Sequence, residues 1–126
     1  MQEFILQQKN NIWFGSFPLL SEAGVINACS CRLHGESAVV SGTLNLALHV
    51  GDEPELVLRN RLRFAQAVGV DAARLTTCAQ VHGSEVAVVD EALVGAGALS
   101  LADTIAGTDA LVTRLRNVPL LLFFAD

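Results

Sequence analysis

A mixed β-sheet flanked by helices is the architecture this sequence predicts, in the α+β (mixed α/β) class. Three observations lead there. Several apolar segments have strand length, one long segment has helical period, and neither a repeat nor a low-complexity linker separates them. The 126 residues amount to one domain or part of one. A chain of that length can bury roughly two-thirds of the surface exposed when it is unfolded.

The elements follow in order. Residues 24–31, GVINACSC, have strand composition and run into the turn-rich CRLHGES, residues 31–37. In SGTLNLALHVGD, residues 41–52, Leu44, Leu46, Leu48 and Val50 alternate with Thr43, Asn45, Ala47 and His49. That is the pattern of a half-buried strand or of an extended segment crossing the core. A helix is expected over about residues 53–68. Asp52 is its expected N-cap, Pro54 stands in the first turn, and Glu55 completes a D-x-x-E capping pattern. Val57, Phe64 and Val68 form its apolar stripe, widened by Leu58, Leu62 and Ala65, and Gly69 is a natural terminator. RLTTCAQVHGSEVAVVD, residues 74–90, reads as strand, glycine-containing break, strand. The Gly- and Ala-rich residues 91–110 read as a loop with a short helical turn, and DALVT, residues 109–113, as a short strand. PLLLFFAD, residues 119–126, reads as a fully buried closing strand.

Composition narrows the function classes. A net charge of −5 argues against a nucleic-acid partner, because phosphate binding needs clustered Lys and Arg. The basic residues include Arg59, Arg61, Arg63, Arg114 and Arg116, which read as solvated faces or salt-bridge donors. No apolar run approaches the roughly 18 residues of a membrane helix, and the start MQEF has no export-signal pattern. A cytoplasmic protein with three reduced thiols, Cys29, Cys31 and Cys78, is therefore expected. Hydrophobic residues make up 52% and charged residues 17%, which points to a deep core or to surface meant for another polypeptide.

Chemistry could gather around His82. Strand alternation would set Thr76, Cys78, Gln80 and His82 on one face, at a strand end beside Gly83. Cys78 and His82 would lie roughly 13 Å apart at strand rise, too far for a nucleophile and its base. Cys78 is better read as a small core residue. Cys29 and Cys31 form a C-x-C without the second pair a metal site would need. His34 lies in a polar turn, and His49 is either a pocket or a surface residue. No dinucleotide, phosphate-loop, zinc-protease or nucleophile-elbow motif occurs, and no catalytic constellation is complete.

Four blocks, taken in order, resemble one family. They are Cys31-Arg32 with Gly35 and Ser37; LNLALHVGDEPELVLRNR, residues 44–61; QVHG, residues 80–83; and TDALVT followed by FFAD. The resemblance, which spans residues 17–126, is to the YfiH-like proteins. These are also called the laccase-domain or multicopper polyphenol oxidoreductase family, now regarded as purine nucleoside phosphorylases. In that family the strand ending in Ala-Asp continues into a Cys, and a second half carries another His. The resemblance implies a metal site made of the His of QVHG, that Cys and that second His. Of these, the sequence contains His82.

The expectation is that residues 1–126 are the N-terminal part of a single such domain, ending before the expected metal-binding Cys. Its partner would be the missing C-terminal half. Zinc is the implied cofactor, a His and Cys set that would also accept copper. Such a metal would polarise a substrate group or lower the pKa of its water. The implied reaction is phosphorolysis of adenosine or inosine, with adenosine deamination and methylthioadenosine cleavage also attributed to the family. His82 would be catalytic and a metal ligand, and Arg32, Asn45 and Gln80 would bind purine nucleoside and phosphate. Alone, the fragment should bind zinc poorly and be inactive. His34 stands where the family often has Gly, and Cys31 where Thr is usual. Two other readings compete: a cytoplasmic hydrolase editing peptidoglycan precursors with the missing Cys as nucleophile, and a non-catalytic binding or scaffold half.

Overall fold

The computed structural model describes residues 3–38 and 42–124. The chain divides into two compact units, Met1–Gly69 and Val70–Asp126. The α+β class is as expected, with both antiparallel and parallel strand pairs, distributed over three small sheets among the described residues.

The first unit opens with a hairpin that the sequence reading did not anticipate. β1 (Ile5–Lys9) pairs antiparallel with β2 (Ile12–Ser16), Lys9 opposite Ile12. Asn10 and Asn11 bridge them with φ of 51° and 64°. Two successive left-handed residues make the tight turn whose twist suits a hairpin, and asparagine tolerates that region well. The five-residue α1 (Pro18–Glu22) follows. The expected strand over residues 24–31 shrinks to β3 (Cys29–Ser30), paired with β2. Upstream of it, Asn27 folds its side chain onto the chain instead. Its Oδ1 accepts from Phe17 N–H at 2.6 Å, and its Nδ2 donates to the Val25 carbonyl at 3.1 Å.

Residues 42–47 form no strand ladder; they cross the first unit as an extended segment with Leu44, Leu46 and Ala47 buried. Buried carbonyls outside a ladder still need donors. Those donors come from α2 (Pro54–Val68). The helix runs as the sequence predicts and ends at Gly69 with φ 93°, the left-handed cap. Val57 and Ala65 are buried on it, and Phe64 meets Phe14 edge to face with ring centroids 6.4 Å apart.

Two expectations for this helix need correction. Its N-cap is Glu53, with no side-chain cap bond, and the Asp52 carboxylate accepts from Ser37, Asn45 and Glu53 N–H. Its buried side also includes Asn60 at 0% and Arg61 at 3% exposure, whereas Leu62 is 49% exposed. Arg61 is thus no solvated surface charge. Its Nε donates to the Leu46 carbonyl at 2.8 Å, and burial pushes its pKa down to about 10, still cationic at neutral pH.

The second unit holds two parallel pairs. β4 (Thr76–Thr77) pairs with β7 (Leu120–Leu121), and β5 (Val86–Val88) with β6 (Ala110–Val112). The Gly-rich stretch contains one short 3₁₀ turn, Leu101–Asp103. The closing strand is less buried than its composition suggests. Leu121 to Phe123 are half-buried and Phe124 is 86% exposed, while Ala125 and Asp126 fall outside the described residues. Among the described residues no helix is long and apolar enough to cross a membrane.

Candidate functional site

The alternation expected from Thr76 to His82 stops early. Leu75, Thr76, Thr77 and Cys78 are all buried, and the chain from Ala79 to Gly83 is exposed. Ala79 N–H donates to the Ile105 carbonyl at 2.7 Å, which leads the backbone away from the β4 ladder. Cys78 is 3% exposed, a core thiol as expected. Burial first, and the nearby Asp109 charge second, push its pKa up, which keeps it protonated and unreactive.

Gln80 and His82 share the exposed loop that follows. Gln80 lays its side-chain amide along the backbone of Phe123. Its Nε2 donates to the Phe123 carbonyl at 3.2 Å, and its Oε1 accepts from Phe123 N–H at 2.9 Å. The side chain thereby acts as one more peptide of a strand, extending the hold on the closing segment two residues beyond β7.

His82 has φ of 58°, in the left-handed region that an L side chain rarely adopts. The Asp109 side chain lies against this turn. The Asp109 carboxylate accepts three consecutive backbone N–H groups: Val81 at 2.9 Å and His82 at 2.8 Å on Oδ1, and Gly83 at 2.7 Å on Oδ2. Such a run of converging amides is an anion cradle, here filled by the chain's own carboxylate. The Gly83 N–H, chief among these donors, helps hold the Asp109 carboxyl below its ordinary range, so it is ionised at neutral pH. Gly83 leaves little room for anything larger, since a Cβ there would sit 3.3 Å from Asp109 Oδ2. Asp109 belongs to TDALVT and His82 to QVHG, so one carboxylate ties together two of the blocks that carry the resemblance.

Arg32 and Asn45 belong to the first unit. Arg32 is exposed, and its carbonyl accepts from Leu44 N–H at 3.0 Å. The turn after it keeps a left-handed residue at His34, φ 68°, the conformation that the glycine often found there would adopt freely. Asn45 spends its amide inside the chain, donating to the Ala47 carbonyl at 3.1 Å and to Asp52 Oδ2 at 3.0 Å. Asp52 also accepts from the Ser37 hydroxyl and from Glu53 N–H. Asn45 first, then Ser37, draws the Asp52 pKa below its ordinary value.

Asn60 completes this network. Its Nδ2 donates to Ser37 Oγ at 2.8 Å, the Asn45 carbonyl at 2.9 Å and the Thr43 carbonyl at 3.2 Å, and its Oδ1 accepts from Glu36 N–H at 2.7 Å. Ser37, Asp52, Asn60 and Asp109 were not singled out as site residues from sequence. The signal available was their place inside the four blocks.

Among the described residues no three His, Cys, Asp or Glu side chains converge as metal ligands. A catalytic zinc keeps three protein ligands, so the described residues do not constitute a complete zinc site.

The chain belongs to the multi-copper polyphenol oxidoreductase laccase family, whose model matches residues 26–126. It is 36% identical, over 124 residues, to the purine nucleoside phosphorylase YlmD of Geobacillus stearothermophilus, covering 97% of this chain and 44% of that protein. The crystal structure of YlmD superposes with a TM-score of 0.87 at 34% identity, over 97% of this chain and 45% of that one. The crystal structure of Bacillus licheniformis YfiH gives a TM-score of 0.75 at 26% identity, over 93% and 39% of the two chains. Adenosine deaminase RL5, of an unknown prokaryotic organism, is 37% identical over 83 residues, 66% of this chain and 32% of its own length. The chain therefore spans under half the length of the relatives it matches.

Proposed function

We propose that this chain is the N-terminal part of a purine nucleoside phosphorylase that binds zinc, with His82 as the one metal ligand it contributes. The remaining ligands would come from polypeptide outside these residues. The observation that carries the reading is the loop of residues 80–83. It presents an exposed imidazole on a backbone held by the half-buried Asp109 carboxylate, within a motif of this family. Catalytic groups work best on such preorganised supports. The overall reaction would transfer the ribosyl group of inosine or adenosine to phosphate, giving ribose 1-phosphate and the free base. Arg32, the exposed cation of its block, is the candidate for meeting the anionic phosphate. Asn45 and Gln80 have their amides engaged by backbone and by Asp52. Their contribution to substrate binding would be to shape the chain around it. The relatives named as phosphorylase and as adenosine deaminase support a purine nucleoside substrate for the longer protein.

The test is a product assay on the protein expressed from its complete reading frame, with inosine plus phosphate in one arm and adenosine in the other. Hypoxanthine release from inosine is expected. His82→Ala should lower kcat/KM about 100-fold or more, the scale of removing a group that acts in the transition state. Ammonia release from adenosine would add deamination. No product in either arm, or full activity in the variant, overturns the proposal.

A further inference from the structure

We propose that Asp109 is a positioning residue whose carboxylate, by accepting the N–H groups of Val81, His82 and Gly83, sets the left-handed backbone at His82 and so aims its imidazole. This rests on the reading of His82 as a binding residue and names what holds it.

Three adjacent amides can point at one centre only if the backbone curls around it, and curling costs least when an anion sits there. Asp109 supplies that anion through charge-assisted bonds of 2.7 to 2.9 Å, among the stronger hydrogen bonds in proteins. The carboxylate is itself well anchored. Asp109 N–H donates to the Glu85 carbonyl at 3.0 Å, and the next residue begins β6, which pairs with β5 just beyond the loop. On its other side Thr108 is buried, with its N–H donating to the Ala79 carbonyl at 3.3 Å. The loop is thus fastened to the β6 segment before and after the histidine. An asparagine has a single acceptor oxygen, and its amino group would confront the backbone donors, so it could not serve all three.

The experiment compares wild type, Asp109→Asn and His82→Ala, all from the complete reading frame. Amide hydrogen exchange at residues 81–83 is read alongside zinc affinity by competition titration. Asp109→Asn should speed exchange of those three amides at least 10-fold while β4 and β7 amides stay as slow as in wild type. It should also weaken zinc binding about 10–100-fold, as loss of a residue supporting a ligand does. His82→Ala should weaken zinc binding about 100-fold or more while the three amides stay protected.

Unchanged exchange in Asp109→Asn overturns the positioning role even if zinc binding needs His82. Faster exchange in Asp109→Asn, with zinc binding indifferent to His82→Ala, leaves the positioning role standing and removes the functional reading. Should Asp109→Asn not fold, hydrogen-bond scalar couplings from the three amide nitrogens to the Asp109 carboxyl carbon are read on wild type. Their absence overturns the proposal and their presence supports it.

Discussion

Replacing Asn60 by alanine should destabilise the protein by about 3–5 kcal/mol, measured as the loss in urea unfolding free energy relative to wild type. The expectation follows from what that side chain does. It is fully buried and satisfies four groups: the Ser37 hydroxyl, the Thr43 and Asn45 carbonyls and the Glu36 N–H. A typical hydrogen bond contributes about 1 kcal/mol net, but a buried group left without a partner costs about 1–3 kcal/mol. Water can reach some of the four through the gap left behind, which holds the total to the upper range of single substitutions. Asn60→Asp should be no milder, since a carboxylate would face two carbonyl oxygens and a hydroxyl that now receive donors. A loss under about 1 kcal/mol in the alanine variant would mean that residues 42–47 find other partners.

Gly35→Ala should have a comparable effect, about 3 kcal/mol, for a different reason. A Cβ on Gly35 would lie 2.1 Å from the Thr43 carbonyl oxygen and 2.4 Å from Leu44 Cα. Backbone atoms cannot rotate aside as a side chain can, so the two segments must separate, and overpacking of this kind typically costs about 1–3 kcal/mol or somewhat more. Separation would also stretch the Ser37 N–H to Thr43 carbonyl bond of 3.0 Å and the Gly35 N–H to Thr43 Oγ1 bond of 3.0 Å. The thermal midpoint of Gly35→Ala should fall clearly. An unchanged midpoint would show that the segments are not packed so closely.

What could be read from sequence was local. The helix Pro54–Val68 showed itself through period, proline and terminal glycine because those features act within a turn or two. In residues 42–47 alternation correctly marked Leu44 and Leu46 as buried but missed Ala47, and it says nothing of whether the backbone forms a ladder. Whether the backbone finds a ladder depends on segments far along the chain, and here Asn60 and Arg61 supplied the donors instead. The hairpin turn at Asn10 and Asn11 carries a legible signal, two adjacent asparagines between FILQQK and IWFGS. The candidate site divides in the same way. His82 is marked by its place beside Gly83 and Gln80 by the QVHG block they share, but Asp109 lies 27 residues from His82 in sequence, and only the fold brings its carboxylate to the loop. The closing strand was overestimated because apolar composition predicts burial without saying which polypeptide does the burying, and Phe124 remains exposed here.

In the proposed reading, the histidine of the Asp109-held loop is a metal ligand. That role is tested most directly by zinc stoichiometry and affinity in the protein from its complete reading frame, wild type against His82→Ala. One tightly bound zinc per chain in wild type, and a loss of affinity of about 100-fold or more in the variant, is the predicted result. Equal zinc binding by the two proteins, or none in wild type, would contradict it.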